Sequence, residues 1–496
     1  MTEIIMRLRR CAEELSQIAD AMTKFGSSVS AIDAEELERR VGPDARRVVE
    51  ALALFGVNAK VERVCQGPTV NKIELSLPPG CRYSSVTNLI DNLQGALRKH
   101  SLRIEAPIPG SDAVGLEYDR PDPEPVTFNE TTLLEIARLD SLRKRPNLPV
   151  VVGKNVCCAA VSFDLAAMPH LLVGGAPGQG AAMFVHSLIN GLIASRSPEE
   201  VRMLLFDPKC VEFAVYANLP HLVVPVMNEN SRFVFALKWV VAEMEKRLKF
   251  FASVRVRNIN DYNNREITAD EQFKDIPERI PHIVIVVGEL ADIMQQCGES
   301  VTPDIARITA KSRVAGIHLV LATQQLGPDV VTCSIKVNVP GLVAFKTANS
   351  KDSRVLLDDK GAERLIGKGD CLFRDQNGVL QRVQVPCISD AEIDSNVERA
   401  IAKYSKKEYA FDAPTAVEDD GDPISDDYAP PARMTLDQLV EKAKTVIRET
   451  GRASTSHFQR QLGWGYNRAS EVTDELERRG LIGPANGSGP RDIYMS

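Results

Sequence analysis

The sequence predicts an α/β protein. It has a mainly parallel sheet covered by helices on both faces, a smaller α+β unit ahead of it and a small helical domain with a hairpin behind it. Three observations carry this. Between residues 150 and about 385, short apolar runs alternate with helical stretches, the signature of strands buried on both faces. A glycine-rich turn containing Gly174, Gly175, Gly178 and Gly180 lies between one such run and an amphipathic helix. Residues 433–496 carry three helical patterns and a second glycine turn.

A chain of 496 residues allows two to four domains. Its 44% hydrophobic and 26% charged residues suit soluble domains with sizeable cores. The net charge of −7 excludes a globally basic nucleic-acid coat and leaves a local basic channel open. The 10 cysteines include no C-x-x-C pair, and the adjacent Cys157 and Cys158 are ill spaced for one zinc tetrahedron. They read as reduced thiols in a cytoplasmic chain, with no metal site expected. No apolar run approaches the roughly 18 residues of a membrane span. Residues 1–24 carry charges throughout, unlike a signal peptide. No membrane-spanning segment is expected.

Taken in order, residues 1–44 form a helical segment, with Ile5, Leu8, Cys11, Leu15, Ile18 and Met22 at helical spacing over 1–25. Residues 45–125 form the α+β unit. Helices are predicted over 44–55 and 83–99, a hairpin over 59–64 and 69–77, and short strands over 102–105 and 115–118. The proline-rich stretch 119–125 closes it. Residues 126–405 hold the large sheet, with buried strands over 203–206, 283–287, 319–322 and 342–345. Asp207, Gly288, Thr323 and Lys346 follow these runs and are expected to face the crevice where such sheets bind ligands. Residues 406–432 form an acidic linker, carrying Asp412, Glu418, Asp419, Asp420, Asp422, Asp426 and Asp427. In residues 433–496, helices over 436–449 and 466–479 flank one capped by Ser454. Ile482 and Ile493 flank the turn 486–489, which suggests a wing.

The central turn has the strand–loop–helix setting of a Walker A motif. Gly175, Ala176, Pro177, Gly178, Gln179 and Gly180 occupy its loop, and the helix carries Phe184, Val185, Leu188, Ile189 and Leu192. The next two positions should be Lys and Ser or Thr, yet they are Ala181 and Ala182. The lysine would bond the β- and γ-phosphates and the hydroxyl would hold Mg²⁺. At about 1.5–3 kcal/mol each, losing both weakens ATP binding by roughly 10²–10⁴-fold. Pro177 removes a further loop N–H.

Beyond the loop, many stretches match one family in order. They are Arg103 to Gly110 with Ala113, Val114 and Gly115; Met168 to Val173; Phe206 to Lys209 with Glu212; Pro220 to Leu222; Val256 to Asn258 with Tyr262 and Asn263; Lys311 to Gln324; and Gly465 to Ala469. On these residues the chain resembles the motor region of the FtsK/SpoIIIE family of DNA translocases. The resemblance implies a RecA-like P-loop NTPase core, an α domain before it and a C-terminal winged-helix γ domain. It further implies ATP and Mg²⁺ as cofactors, double-stranded DNA as partner and a hexameric ring. Chromosome segregation and cell division are the processes it implies.

Carried over residue by residue, the resemblance fails at the nucleotide site. The Mg²⁺-holding aspartate of the Walker B strand is Gly288, while Glu289, which would orient the attacking water, and Gln324 remain. The strand 283–287 is expected beside the loop 175–180. The family's arginine after Gln324 is Gln325, and Arg313, ahead of Arg307 and Arg354, is the candidate to act on a neighbour's nucleotide. In the γ domain Asn467 matches a base-reading position, but the arginine four residues on is Glu471. A carboxylate repels phosphate and cannot donate to guanine. Arg468, Arg478 and Arg491 remain for the DNA backbone, and a protein-contact winged helix is the other possibility. The expectation is a pseudo-ATPase in a homo-hexameric ring or a mixed ring with an intact FtsK-type motor, with weak or absent nucleotide binding. The alternatives are an active translocase with an atypical site, or a structural subunit of an intact motor.

Overall fold

The computed structural model describes residues 34–267 and 277–404, together with 440, 443–444, 446–448, 453–454, 472–473, 475–483 and 493–494. The predicted helix over 1–25, the acidic linker, Asn467, Arg468, Glu471 and Arg491 lie outside the described residues. The chain divides into two compact units, one ending at Thr415 and one beginning at Ala416.

The first unit opens with helix α1 (Ala34–Leu54), which reaches back through Pro43 beyond the predicted start. Strands β1 (Lys60–Gln66) and β2 (Val70–Ser76) form the predicted hairpin. The helix expected over 83–99 is broken: a single turn, Ser84–Thr87, precedes α2 (Ile90–Leu97). Strands β3 (Leu102–Glu105) and β4 (Val114–Asp119) complete an antiparallel sheet of order β1-β2-β4-β3. Val48, Leu52, Leu93 and Leu97 of the helices meet Ile73, Leu75, Val114 and Leu116 beneath them.

Helix α3 (Leu134–Asp140) leads into the large sheet. Its elements are β5 (Pro149–Asn155), β6 (Ala160–Asp164), β7 (His170–Gly174), α4 (Ala181–Ser195), β8 (Val201–Phe206), α5 (Asn230–Ser253), β9 (His282–Val287), α6 (Leu290–Ala315), β10 (Ile317–Thr323), β11 (Gly341–Phe345), α7 (Ser350–Leu357), β12 (Asp370–Arg374), β13 (Leu380–Gln384) and α8 (Asp390–Lys403). The nine strands run in the order β6-β5-β13-β12-β11-β7-β10-β9-β8. From β11 to β8 all neighbours are parallel, and from β11 to β6 all are antiparallel.

Alternate side chains of a strand point to opposite faces, and here both faces are buried. Leu171, Val173, Val284, Val286, Val320 and Val343 join the cluster under α4 and α8. Leu172, Ile283, Ile285, Val287, Leu319 and Leu321 join the cluster under α5 and α6. One expectation needs correction. The strand 283–287 is not beside the loop strand β7, because β10 lies between them. Fully buried strands look alike in sequence, and sheet order is set by which way each crossover helix folds back.

Three histidines mark the starts of these parallel strands. His282 Nδ1 lies 3.1 Å from His318 Nε2 with the rings stacked, and His170 Nδ1 accepts the Leu319 N–H at 3.1 Å. The guanidinium of Arg247 adjoins them, donating to the Pro281 and Ala315 carbonyls. Burial holds His170, His221 and His282 down at about 4 and pushes His318 well below the usual histidine range; Arg247 adds to this at His282, the neighbouring His282 and His170 at His318, and Arg202 at His221. The fold therefore needs these rings neutral, whereas the unfolded chain protonates them below about 6.5. Stability is full above that pH and declines as pH falls from 6.5 towards 4. Between pH 7.5 and 6 each of the three rings at about 4 removes on the order of 1 kcal/mol. Urea melts across that interval should show the midpoint falling with acid. An unchanged midpoint contradicts the neutral cluster.

In the second unit, Val440, Ala443, Ile447, Val472, Leu476 and Ile482 form a small core. Val472 and Leu476 thus point inward. Ile482 and Ile493 form an antiparallel bridge.

Candidate functional site

The glycine-rich loop joins β7 to α4 at the carboxyl edge of the parallel strands. Its sharp path depends on two glycines. A Cβ at Gly175 would sit 2.6 Å from the Phe345 Cβ. At Gly180, where φ is +119°, it would sit 2.8 Å from the Gly369 Cα. Real Cβ atoms do not approach so closely, so the backbones require glycine here.

The loop is braced from both sides. Ala176 N–H donates to the Lys346 carbonyl at 2.8 Å, and Gly369 N–H donates to the Gln179 carbonyl at 2.9 Å. Ala176 and Pro177 therefore offer no N–H to a phosphate. Among the described residues, the N–H groups of Gly178, Gly180, Ala181 and Ala182 carry no such bond. They open the first turn of α4, where a helix favours an anion.

A narrow cavity lies where the lost groups would stand. Ala181, Ala182, Glu212, Gly288, Thr323 and Gln324 are among its lining residues. The methyl groups of Ala181 and Ala182 supply neither cation nor hydroxyl, and Gly288 supplies no carboxylate. These residues do not fit Mg-ATP. Among the described residues no cluster of three or more His, Cys, Asp or Glu is placed to hold a metal.

Glu289 is buried at 3% exposure and caps the start of α6. Its Oε1 accepts from Thr323 Oγ1 at 2.7 Å, Gln324 N–H at 3.2 Å and Ala291 N–H at 3.3 Å, and Oε2 accepts from Gln324 N–H at 3.2 Å. The carboxylate thus clips the end of β10 to the start of α6. Gln324 is brought to it and lines the cavity. Arg313 is not. It is exposed in the last turn of α6, at the far end of the seven-residue strand β10 from Gln324, roughly 20 Å away at the usual rise. Arg307 pairs with Glu245, and Arg354 is exposed on α7.

Asp207 needs correction too. Its carboxylate accepts from the Lys209 N–H at 3.1 Å and the Phe213 N–H at 2.9 Å, tying its own loop instead of facing the crevice. The sequence also did not single out the polar group behind Glu212, which lines the cavity. His186 Nδ1 contacts Tyr216 Oη at 2.7 Å and His186 Nε2 lies 3.5 Å from Glu212 Oε2. Asn190 Nδ2 donates to the same tyrosine oxygen at 2.9 Å. His186 and its neighbour Lys209 hold the Glu212 carboxyl below its ordinary range. The signal was present, since His186 stands four residues after Ala182, on the same helical face.

In the second unit Arg478 is turned to an internal partner. Its Nε and Nη2 donate to the two oxygens of Glu475 at 2.6 Å each, and Arg479 Nε donates to Oε1 at 2.6 Å. The two guanidinium groups hold the Glu475 carboxyl down at about 2.

Comparison with known proteins gives three ordered matches. The FtsK alpha domain matches residues 21–119, the FtsK/SpoIIIE family residues 132–328, and the FtsK gamma domain residues 435–496. The chain is 39% identical over 464 residues to a protein named DNA translocase FtsK from Streptococcus agalactiae, covering 92% of this chain and 55% of the relative. It is 39% identical over 467 residues to the protein of that name from Streptococcus pneumoniae, covering 92% and 59%. The chain therefore spans little more than half the length of these relatives. Among solved structures, the cytoplasmic domain of the Thermomonospora curvata type VII secretion ATPase EccC aligns with a TM-score of 0.50 at 21% identity, over 59% of this chain and 36% of that one. That likeness concerns the fold, an α/β ATPase core.

Proposed function

The chain belongs to the FtsK/SpoIIIE family, and we propose that it is a pseudo-ATPase within it. On this proposal it is a subunit that binds duplex DNA in a ring without efficient ATP hydrolysis. The ring is either a hexamer of this chain or a mixed ring with an intact motor. One observation carries the proposal: Ala181, Ala182 and Gly288 converge on a single cavity. One missing group can be replaced by a neighbour, whereas here the phosphate cation, the metal hydroxyl and the metal carboxylate are missing together. The remaining N–H groups at the start of α4 favour weak anion binding at most. Titration of Mg-ATP into the purified protein should give affinity weakened by roughly 10²–10⁴-fold relative to an intact loop. Saturable binding at low micromolar ATP overturns the proposal.

A second possibility, a working motor with an atypical site, draws on Gln324, which lines the cavity, and on Glu289, which accepts the Gln324 N–H. Turnover decides between the two. For residues 433–496 we propose a winged-helix domain that binds DNA weakly and with little sequence preference. Arg468 and Arg491 supply phosphate contacts, while Arg478 must first leave Glu475. Binding should fall steeply with salt. Glu471→Arg in the full chain should strengthen it several-fold by removing a repulsive carboxylate and adding a donor. Sharp discrimination between duplexes of different sequence by the unaltered chain contradicts this assignment.

A further inference from the structure

A second cavity, of about 460 Å³, opens beside the glycine loop and shares no lining residue with the narrow one at Ala182 and Gly288. Its volume falls within the roughly 300–1,000 Å³ of small-ligand pockets. Gly178 and Gly180 line it, and their N–H groups carry no bond among the described residues. Much of the remaining wall is apolar, formed by Pro123, Pro125, Val126, Met183, Val385 and Pro386. Most polar side chains on the lining are already matched. Thr69 Oγ1 donates to Gln384 Oε1 at 3.1 Å, Gln384 Nε2 donates to the Lys368 carbonyl at 2.9 Å, and Glu124 Oε1 accepts from Arg120 Nη2 at 2.9 Å. Lys368 is the exception. It stands at φ +54° between Gly367 at +95° and Gly369 at +91°, a region that lysine rarely adopts. The turn is pinned there: Gly369 N–H donates to the Gln179 carbonyl and Val385 N–H to the Gly369 carbonyl, each at 2.9 Å. The Lys368 side chain is exposed, and its ammonium has no partner among the described residues. Strained backbone of this kind gathers at ligand clamps, and here it holds a free cation on the lining of a cavity.

We propose that this cavity binds a nucleoside monophosphate without a metal ion, with Lys368 as the phosphate cation in place of the lysine absent at Ala181. The phosphate accepts from the Gly178 and Gly180 N–H groups and from the Lys368 ammonium. The base and sugar lie against the proline, valine and methionine wall. A flat ring carrying one charged group fits this division of the lining, since the wall offers surface and the loop offers donors. The inference rests on the pseudo-ATPase reading, because it takes the metal end of the loop as empty of ligating groups. Further phosphates would run towards Ala181 and Ala182, where Glu212 lines the narrow cavity. The methyl groups there offer no donor, and the carboxylate repels phosphate. The site therefore prefers a monophosphate to a triphosphate, the reverse of a loop that carries its lysine and metal.

Calorimetric titration of the full chain in excess EDTA tests this. The probes are AMP, GMP, CMP and UMP, then the matching nucleoside and triphosphate, and inorganic phosphate alone. Saturable binding is expected for at least one monophosphate, unchanged when Mg²⁺ replaces EDTA. The matching nucleoside, phosphate alone and the triphosphate should each bind about tenfold more weakly or worse. Lys368→Gly removes the ammonium and suits the left-handed backbone, so the turn stays folded. It should weaken the monophosphate by about tenfold or more without lowering the melting temperature, whereas Lys368→Arg should keep most of the affinity. No saturable binding by any monophosphate, a requirement for Mg²⁺, a nucleoside, free phosphate or triphosphate that binds as tightly, or unchanged affinity in Lys368→Gly overturns the proposal. The pseudo-ATPase reading fails by a different result, tight binding of Mg-ATP, and survives if no monophosphate binds.

Discussion

Purified protein supplied with Mg-ATP and duplex DNA should release no phosphate above background. Phosphoryl transfer is catalysed almost wholly by positioning and charge neutralisation. Removing a single well-placed donor costs roughly 10²–10³-fold in rate, and three groups are missing here. Glu289 does not compensate. Its oxygens cap α6 and hold Thr323 and Gln324, and a carboxylate cannot neutralise phosphate. Ala181→Lys with Ala182→Ser should restore nucleotide binding by about 10²–10⁴-fold. Adding Gly288→Asp should return turnover only in part. Its Cβ would stand 3.3 Å from the Phe206 carbonyl oxygen and 3.4 Å from the Phe213 ring, so the aspartate enters a tight wall. Pro177 and Gln325 also still depart from the family pattern. Robust hydrolysis by the unaltered chain, abolished by a Glu289→Gln variant with an unchanged melting curve, reverses the conclusion and makes this an atypical motor.

The parts legible in the sequence are those governed by local period and by the loop motif. The hairpin of β1 and β2, the four parallel strands and the strand–loop–helix around Gly175 follow from apolar runs and glycine spacing. Alternation on a strand fixes which residues share a face, but not which strand lies alongside. Hence β10 between β7 and β9 was hidden. Polar side chains were harder still. Glu289 and Asp207 both follow buried strands, yet one caps the next helix and holds the end of β10, and the other ties its own loop. The difference lies in the turn that follows, which composition does not report. The contact between Glu117 and Arg382 joins residues with no shared period at all.

That last pair leads to the second large effect. Arg382→Ala should destabilise the first unit by about 3–5 kcal/mol and lower its melting temperature by roughly 5–10 °C. The Arg382 side chain on β13 is 1% exposed. Its Nε and Nη2 donate to the two carboxylate oxygens of Asp370 on β12 at 2.9 and 2.7 Å, and its Nη1 lies 3.6 Å from Glu117 Oε2 on β4. Burial alone would raise the Glu117 carboxyl, but Arg103, Arg382 and Lys72 outweigh it and hold the group below its ordinary range. A lowered carboxyl contributes stability above its unfolded pKa of about 4.3 and loses it as acid protonates the folded form. Alanine leaves Asp370 buried without its paired cation and takes from Glu117 one of the cations beside Arg103, whereas Glu117→Gln leaves Arg382 on Asp370 and should cost less. The same arginine also steadies the glycine loop. Asp370 Oδ2 accepts the Ile366 N–H at 2.8 Å, and the next turn presents Gly369 N–H to the Gln179 carbonyl. Hydrogen exchange at Gly178 and Gly180 should therefore speed up in Arg382→Ala at temperatures well below its melt. Unchanged exchange there, beside a lowered melting temperature, separates the two roles and confines Arg382 to holding the sheets together.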